Sequence, residues 1–232
     1  MKKSMWVAIG AVLVLSVAAA IAQEVLAVNS IGYIKRELPP GGDLITVSLP
    51  LHSMTAENHV FSNLSLAGEA PALSEVSFWD AGQQKWVGGL KNAKTGWPGN
   101  VLTQQVVSGE FFFLKGPVAA VDPTEITITG ELPNETTLAR STPGSGALGS
   151  MANPYPADFV FGTSPLAVNA TALSEVSFWD SNEQKWVGGL KNAKTGWPAN
   201  VVTQVVTATE GFFLKEAGTV TQWTVDKPYT WP

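Results

Sequence analysis

The sequence predicts an all-β protein built from two tandem β-sandwich-like (or small-barrel) repeats of about 100 residues, an ordinary domain size. Three observations carry this. The block Ala72–Asp80 (ALSEVSFWD) recurs unchanged at Ala172–Asp180, and Lys85–Pro98 (KWVGGLKNAKTGWP) recurs unchanged at Lys185–Pro198. Short runs alternate apolar with polar residues, the period of a half-buried strand. The 22 glycines and 15 prolines break the chain at short intervals, as closely spaced strands require.

Along the chain, Lys2 and Lys3 precede an uncharged apolar run from Met5 to Ala20 and the small-x-small sequence Ala20-Ile21-Ala22. Residues 1–22 are expected to be a secretory signal peptide. Residues 23–132 then form repeat 1 and 133–232 repeat 2. The mature protein is expected outside the cell or at its surface, with no membrane span after cleavage. Residues 24–34 (EVLAVNSIGYI) precede the first unit. Val25, Leu26, Val28, Ile31 and Tyr33 are candidates for a surplus strand that completes a neighbour's sheet edge. The alternative is pairing within the same unit.

Ile45, Val47 and Leu49 alternate with Thr46 and Ser48, a strand. Residues 64–73 allow one short helical turn. In 75–80, Val76 and Phe78 point one way, Ser77 and Trp79 the other. Asp80 to Gln83 is a turn in which the Asp80 carboxylate accepts a backbone N–H, and Lys85 starts the returning strand. Gly88-Gly89 is expected to break the chain, and Val101–Val107 to be a strand. Phe111 to Leu114 is apolar on both faces and belongs in a central strand covered on both sides. Ile126 and Ile128 alternate with threonines, and copy 2 repeats most of the series.

The Asn153-Pro154-Tyr155-Pro156 turn, the Phe178-Trp179-Asp180 hairpin and the strand Glu210 to Lys215 resemble a recurring tandem β-module of secreted and cell-surface proteins in environmental bacteria. The opening Val28 to Ile34 followed by Leu38-Pro39-Pro40-Gly41 is similar to the start of such proteins. The resemblance implies a module type and an extracellular setting, and no activity. Copy 1 departs from it: Ser48 to Leu51 stands opposite Ala152 to Tyr155, and Phe111 opposite Gly211.

Composition excludes several function classes. The formal net charge of −5 argues against nucleic-acid binding. With no cysteine there is no disulfide, thiolate metal site or cysteine nucleophile. The only histidines, His52 and His59, lie in copy 1, where copy 2 has Phe159 opposite His59, so a Ser-His-Asp site would exist once at most. Glu75, Asp80, Glu110 and their copies are available as paired carboxylates, but Asp80 and Asp180 suit turn caps better. No metal-ligand spacing and no cofactor motif is present, so no catalytic residue, metal or cofactor is expected.

Tryptophan is the informative residue: six of nine form the duplicated pairs Trp79/Trp179, Trp86/Trp186 and Trp97/Trp197. Core packing suits Trp86. Trp79 shares a face with polar residues, and Trp97 lies in a loop between Gly96 and Pro98. The candidate ligand or partner site is therefore Trp79, Asn92, Lys94 and Trp97 with Trp179, Asn192, Lys194 and Trp197, a surface used twice per chain. The leading expectation is a non-enzymatic structural protein that self-assembles into a filament, sheath or matrix. The alternative is a glycan-binding adhesive module whose partner is a polysaccharide.

Overall fold

The computed structural model describes residues 30–54, 58–219 and 222–230. The signal segment and the assembly candidates Val25, Leu26 and Val28 lie outside the described residues. From Ile31 onward the chain forms one unit, and its described residues are antiparallel β with four one-turn α-helices and two 3-10 turns, Phe61–Asn63 and Phe161–Thr163.

Repeat 1 comprises β1 (Ile31–Leu38), β2 (Leu44–Ser48), β3 (His59–Val60), α1 (Ser65–Glu69), β4 (Glu75–Asp80), β5 (Lys85–Leu90), α2 (Gly99–Leu102), β6 (Gln105–Val106), β7 (Phe111–Lys115) and β8 (Thr124–Glu131). Repeat 2 comprises β9 (Thr137–Ser141), β10 (Leu148–Ala152), β11 (Phe159–Val160), α3 (Pro165–Asn169), β12 (Glu175–Asp180), β13 (Lys185–Leu190), α4 (Ala199–Val202), β14 (Val205–Val206), β15 (Gly211–Lys215) and β16 (Gln222–Asp226). Each repeat has a four-stranded sheet, ordered β2-β7-β4-β5 and β10-β15-β12-β13, and two two-stranded ribbons, β1-β8 with β3-β6 and β9-β16 with β11-β14. No barrel closes.

Side-chain alternation divides each sheet into two working faces. Ile45, Val47, Val76, Phe78, Phe112 and Leu114 enter the core of repeat 1, where Phe61, Trp97, Ile126 and Ile128 meet them. Phe111, Phe113 and Trp79 leave by the opposite face and pack with Phe213 and Trp179. The Phe111–Phe113 strand is thus covered on both sides because one face meets its own core and the other meets the second repeat.

Three local expectations are corrected. The segment 101–107 is not one strand: α2 ends at Leu102 and β6 spans only Gln105 and Val106. Gly88-Gly89 does not interrupt the chain but sits within β5, paired to Ser77 and Val76. A β-carbon on Gly88 would come within 1.9 Å of the Val76 carbonyl oxygen, so the glycine is there for close backbone approach. Of the candidate surplus segment 24–34, the part from Ile31 onward belongs to β1 and is not surplus. This strand pairs in full with β8, from Ile31 opposite Glu131 to Leu38 opposite Thr124, because the ribbon places Leu38 in the repeat 1 core with Ile34 packed against it. Ile31 and Tyr33, each 69% exposed, lie on the ribbon's outer face, and their backbones are engaged within the chain.

Candidate functional site

The two sheets meet through contacts that repeat in reverse. Trp79 Nε1 donates to Leu148 O at 2.9 Å, and Trp179 Nε1 to Leu44 O at 2.8 Å. Gln84 accepts from Leu148 N and donates to Leu148 O, at 2.9 and 3.0 Å. Gln184 does the same at Leu44, at 2.8 and 3.1 Å. Both glutamines have left-handed backbones, φ 51° and 50°, which turn the hairpin tip so that each side-chain amide serves the opposite sheet's edge. Ala152 N donates to Gly109 O and Ser48 N to Thr209 O. Arg140 pairs with Glu110 at 3.3 Å, and Arg36 with Glu210 at 3.7 Å. Contacts of residue i to j matched by j to i define a two-fold interface, here a pseudo-two-fold within one chain.

Burial shapes the electrostatics of this seam. It holds the Arg36 and Arg140 guanidiniums below their ordinary range, partly offset by Glu210 and Glu110. It pushes the Glu110 carboxyl up, with Arg140 pulling it back.

On the axis lies an open cleft of about 680 Å³, lined by Trp79, Trp86, Phe113 and Ser77, their copies Trp179, Trp186, Phe213 and Ser177, and Leu44 and Leu148. Phe111 sits beneath, with its ring 5.6 Å from Phe113 and 4.9 Å from Phe213. Trp79 and Trp86 face each other across β4 and β5 with centroids 5.2 Å apart, and Trp179 and Trp186 repeat the pair. Trp86 and Trp186 remain 41% and 40% exposed. Among the described residues no titratable side chain lines the cleft. It can hold a flat, uncharged surface by ring contacts, which favour offset or edge-to-face geometry.

The structure redistributes the sequence-predicted residues. Trp79 and Trp179 belong to the cleft as half-buried walls. Trp97 and Trp197 do not: they are 6% and 9% exposed, packed edge-on against Phe61 and Phe161 at 5.3 Å. Their N–H groups donate to Ala67 O and Ala167 O. They are core residues, because the loop carrying them folds back over α1 and α3. Lys91 and Lys191 then cap those helices, each bonding three carbonyls. Asn92 accepts the N–H of Lys94 and Thr95, and Asn192 those of Lys194 and Thr195. These exposed asparagines and lysines shape a surface turn without a stacking ring beside them. The expected surface used twice therefore loses its tryptophans.

Trp86 and Trp186 are the residues that sequence reasoning missed as site candidates. Their signal was the duplicated block itself, together with the partnership across the hairpin from Trp79. Asp80 and Asp180 accept backbone N–H groups within their turns, as the turn reading requires. Among the described residues no cluster of His, Asp or Glu has the geometry to hold a metal ion, and no helix is long and apolar enough to cross a membrane. Compared with known proteins, the chain matches no family model, no curated protein and no solved structure.

Proposed function

We propose that the protein is a non-catalytic binding protein of the extracellular space whose working surface is the aromatic cleft between its halves. One observation carries the reading: Trp86 and Trp186, the largest side chains of two identical strands, stand about 40% open over a cleft whose other rings are packed and fixed. Exposing such rings to water costs free energy that a flat-faced ligand would recover. A lining of rings and two hydroxyls suits holding a ligand, not acid–base chemistry. Tryptophan fluorescence is the test, with titration by cellohexaose, chitohexaose and an uncharged aromatic compound. Saturable quenching that disappears in Trp86→Ala/Trp186→Ala supports the reading. No saturable change with any of the three at millimolar concentration overturns it.

A second reading, self-assembly, draws on a different feature. β5 and β13 carry the same sequence, KWVGGL, and each is paired in a ladder on one side only, whereas Gln184 and Gln84 cover the ends of the β2 and β10 edges. Pairing of β5 with β13 of another copy would extend the sheets into a polymer. Negative-stain microscopy of the protein beginning at Gln23 tests this. Only single particles at high concentration would remove it.

A further inference from the structure

We infer that the cleft takes one uncharged aromatic molecule per chain, held on the pseudo-two-fold axis by both halves together. The inference rests on the binding role proposed above and fixes the ligand's class and stoichiometry. The rings do not form two patches. Phe113 lies 5.2 Å from Trp86 and 5.7 Å from Trp186, and Phe213 lies 5.6 Å from Trp86 and 5.3 Å from Trp186. Each phenylalanine therefore touches the exposed tryptophan of its own repeat and that of the other, so the duplicated strands build a single site.

The chemistry of the lining selects the ligand. Among the described residues no charged side chain faces the cleft, so a charged ligand would shed water without gaining a counter-ion. The Trp79 and Trp179 N–H groups are committed to Leu148 O and Leu44 O. The side-chain polar groups left on the lining are the Ser77 and Ser177 hydroxyls and the Trp86 and Trp186 N–H groups. A sugar ring presents hydroxyls around its whole rim and would find few partners here, whereas an aromatic ring needs none. The cleft rings already meet at 44–79° interplanar angles, the tilted and edge-on contacts that an inserted aromatic ring would extend. The volume, about 680 Å³, lies in the range of small-molecule sites, roughly 300–1,000 Å³. Walls fixed by hydrogen bonds across the interface reduce the ordering cost of binding.

The experiment is fluorescence titration of the whole mature chain with N-phenyl-1-naphthylamine, with cellohexaose as a parallel arm. One equivalent of the naphthylamine should bind per chain, and Trp86→Ala and Trp186→Ala should each weaken binding at least about tenfold. Ser177→Leu, which fills the cleft without removing a ring, should do the same, and thermal melts of all three variants confirm that they are folded. Two equivalents per chain, or a single-tryptophan variant that keeps half the sites at full affinity, would overturn the inference. So would saturable binding of cellohexaose without the naphthylamine, an outcome that leaves the binding role standing. Binding of neither probe overturns both.

Discussion

Gly211 lies directly against the ring of Phe111: a β-carbon on Gly211 would fall 2.4 Å from the Cβ of Phe111 and 2.5 Å from its Cγ. These are equivalent positions of the two repeats, and they meet at the pseudo-two-fold axis. Two phenylalanines there would occupy the same space, and two glycines would leave it empty. The duplicated halves differ at this point because a residue on a symmetry axis has to pack against its own copy.

Exchange at the axis tests that account. Gly211→Phe should destabilise the protein by about 3 kcal/mol or more through overpacking against Phe111. Phe111→Gly should cost at least about 3 kcal/mol through the cavity it leaves. The double exchange, Phe111→Gly with Gly211→Phe, should recover much of the sum, since the ring then enters the same space from the other side. Denaturant unfolding of the four proteins provides the cycle.

The duplicated tryptophans should separate into two classes. Trp97→Ala and Trp197→Ala remove core rings and should each cost about 3–5 kcal/mol. Trp86→Ala and Trp186→Ala, at half-open positions, should cost about 1 kcal/mol and show their effect in ligand titrations instead. Equal destabilisation of the two classes in thermal unfolding would contradict this division.

The hairpin glutamines should be interchangeable in energy. Gln84→Ala and Gln184→Ala each remove two hydrogen bonds to the opposite sheet's first backbone unit, and each should cost about 0.5–1.5 kcal/mol. The reciprocal geometry predicts matching values. Chemical denaturation reads both, and amide exchange at Leu148 and Leu44 should quicken in the respective variants.

Stability should depend on pH through His59 and Tyr229. Burial holds the His59 imidazole below its ordinary value near 6.5, and His52 adds to the lowering, while the bond to Leu51 O opposes it. A lowered folded value means that the unfolded chain takes the proton first, so stability is lost as pH falls below about 6.5. His59→Phe, which installs the side chain that copy 2 carries at Phe159, should flatten that decline. Tyr229 is pushed up to about 12, by burial first and then by Tyr155 and Glu135. Its contribution is complete below the ordinary value near 10 and is lost as pH rises towards 12, and Tyr229→Phe should remove that limb. Melting temperatures from pH 5 to 11.5 measure both.

Much of the fold was legible because it depends on local rules. A period of two assigned Val76 and Phe78 to one face and Trp79 to the other. The double-faced apolarity of Phe111 to Leu114 placed β7 inside its sheet. Asp80 marked the hairpin turn. The candidate site was legible only in outline. Trp97, flanked by glycine and proline, reads as an exposed loop residue, yet the loop folds back and buries it. Trp86 reads as core, yet it stands on an outer strand over the cleft.

The sequence by itself determined that the chain is duplicated, that each copy is β structure, and which side chains share a face of the strands it marked. These follow from chemistry within a few residues of one another. Only the tertiary structure decided that the two copies close face to face, that Ile31 to Leu38 is consumed by pairing with β8, and that the opened tryptophans are 86 and 186. The pleat of a strand dictates which residues lie on the same side, but what covers that side depends on segments distant in the chain, and burial is a property of the cover.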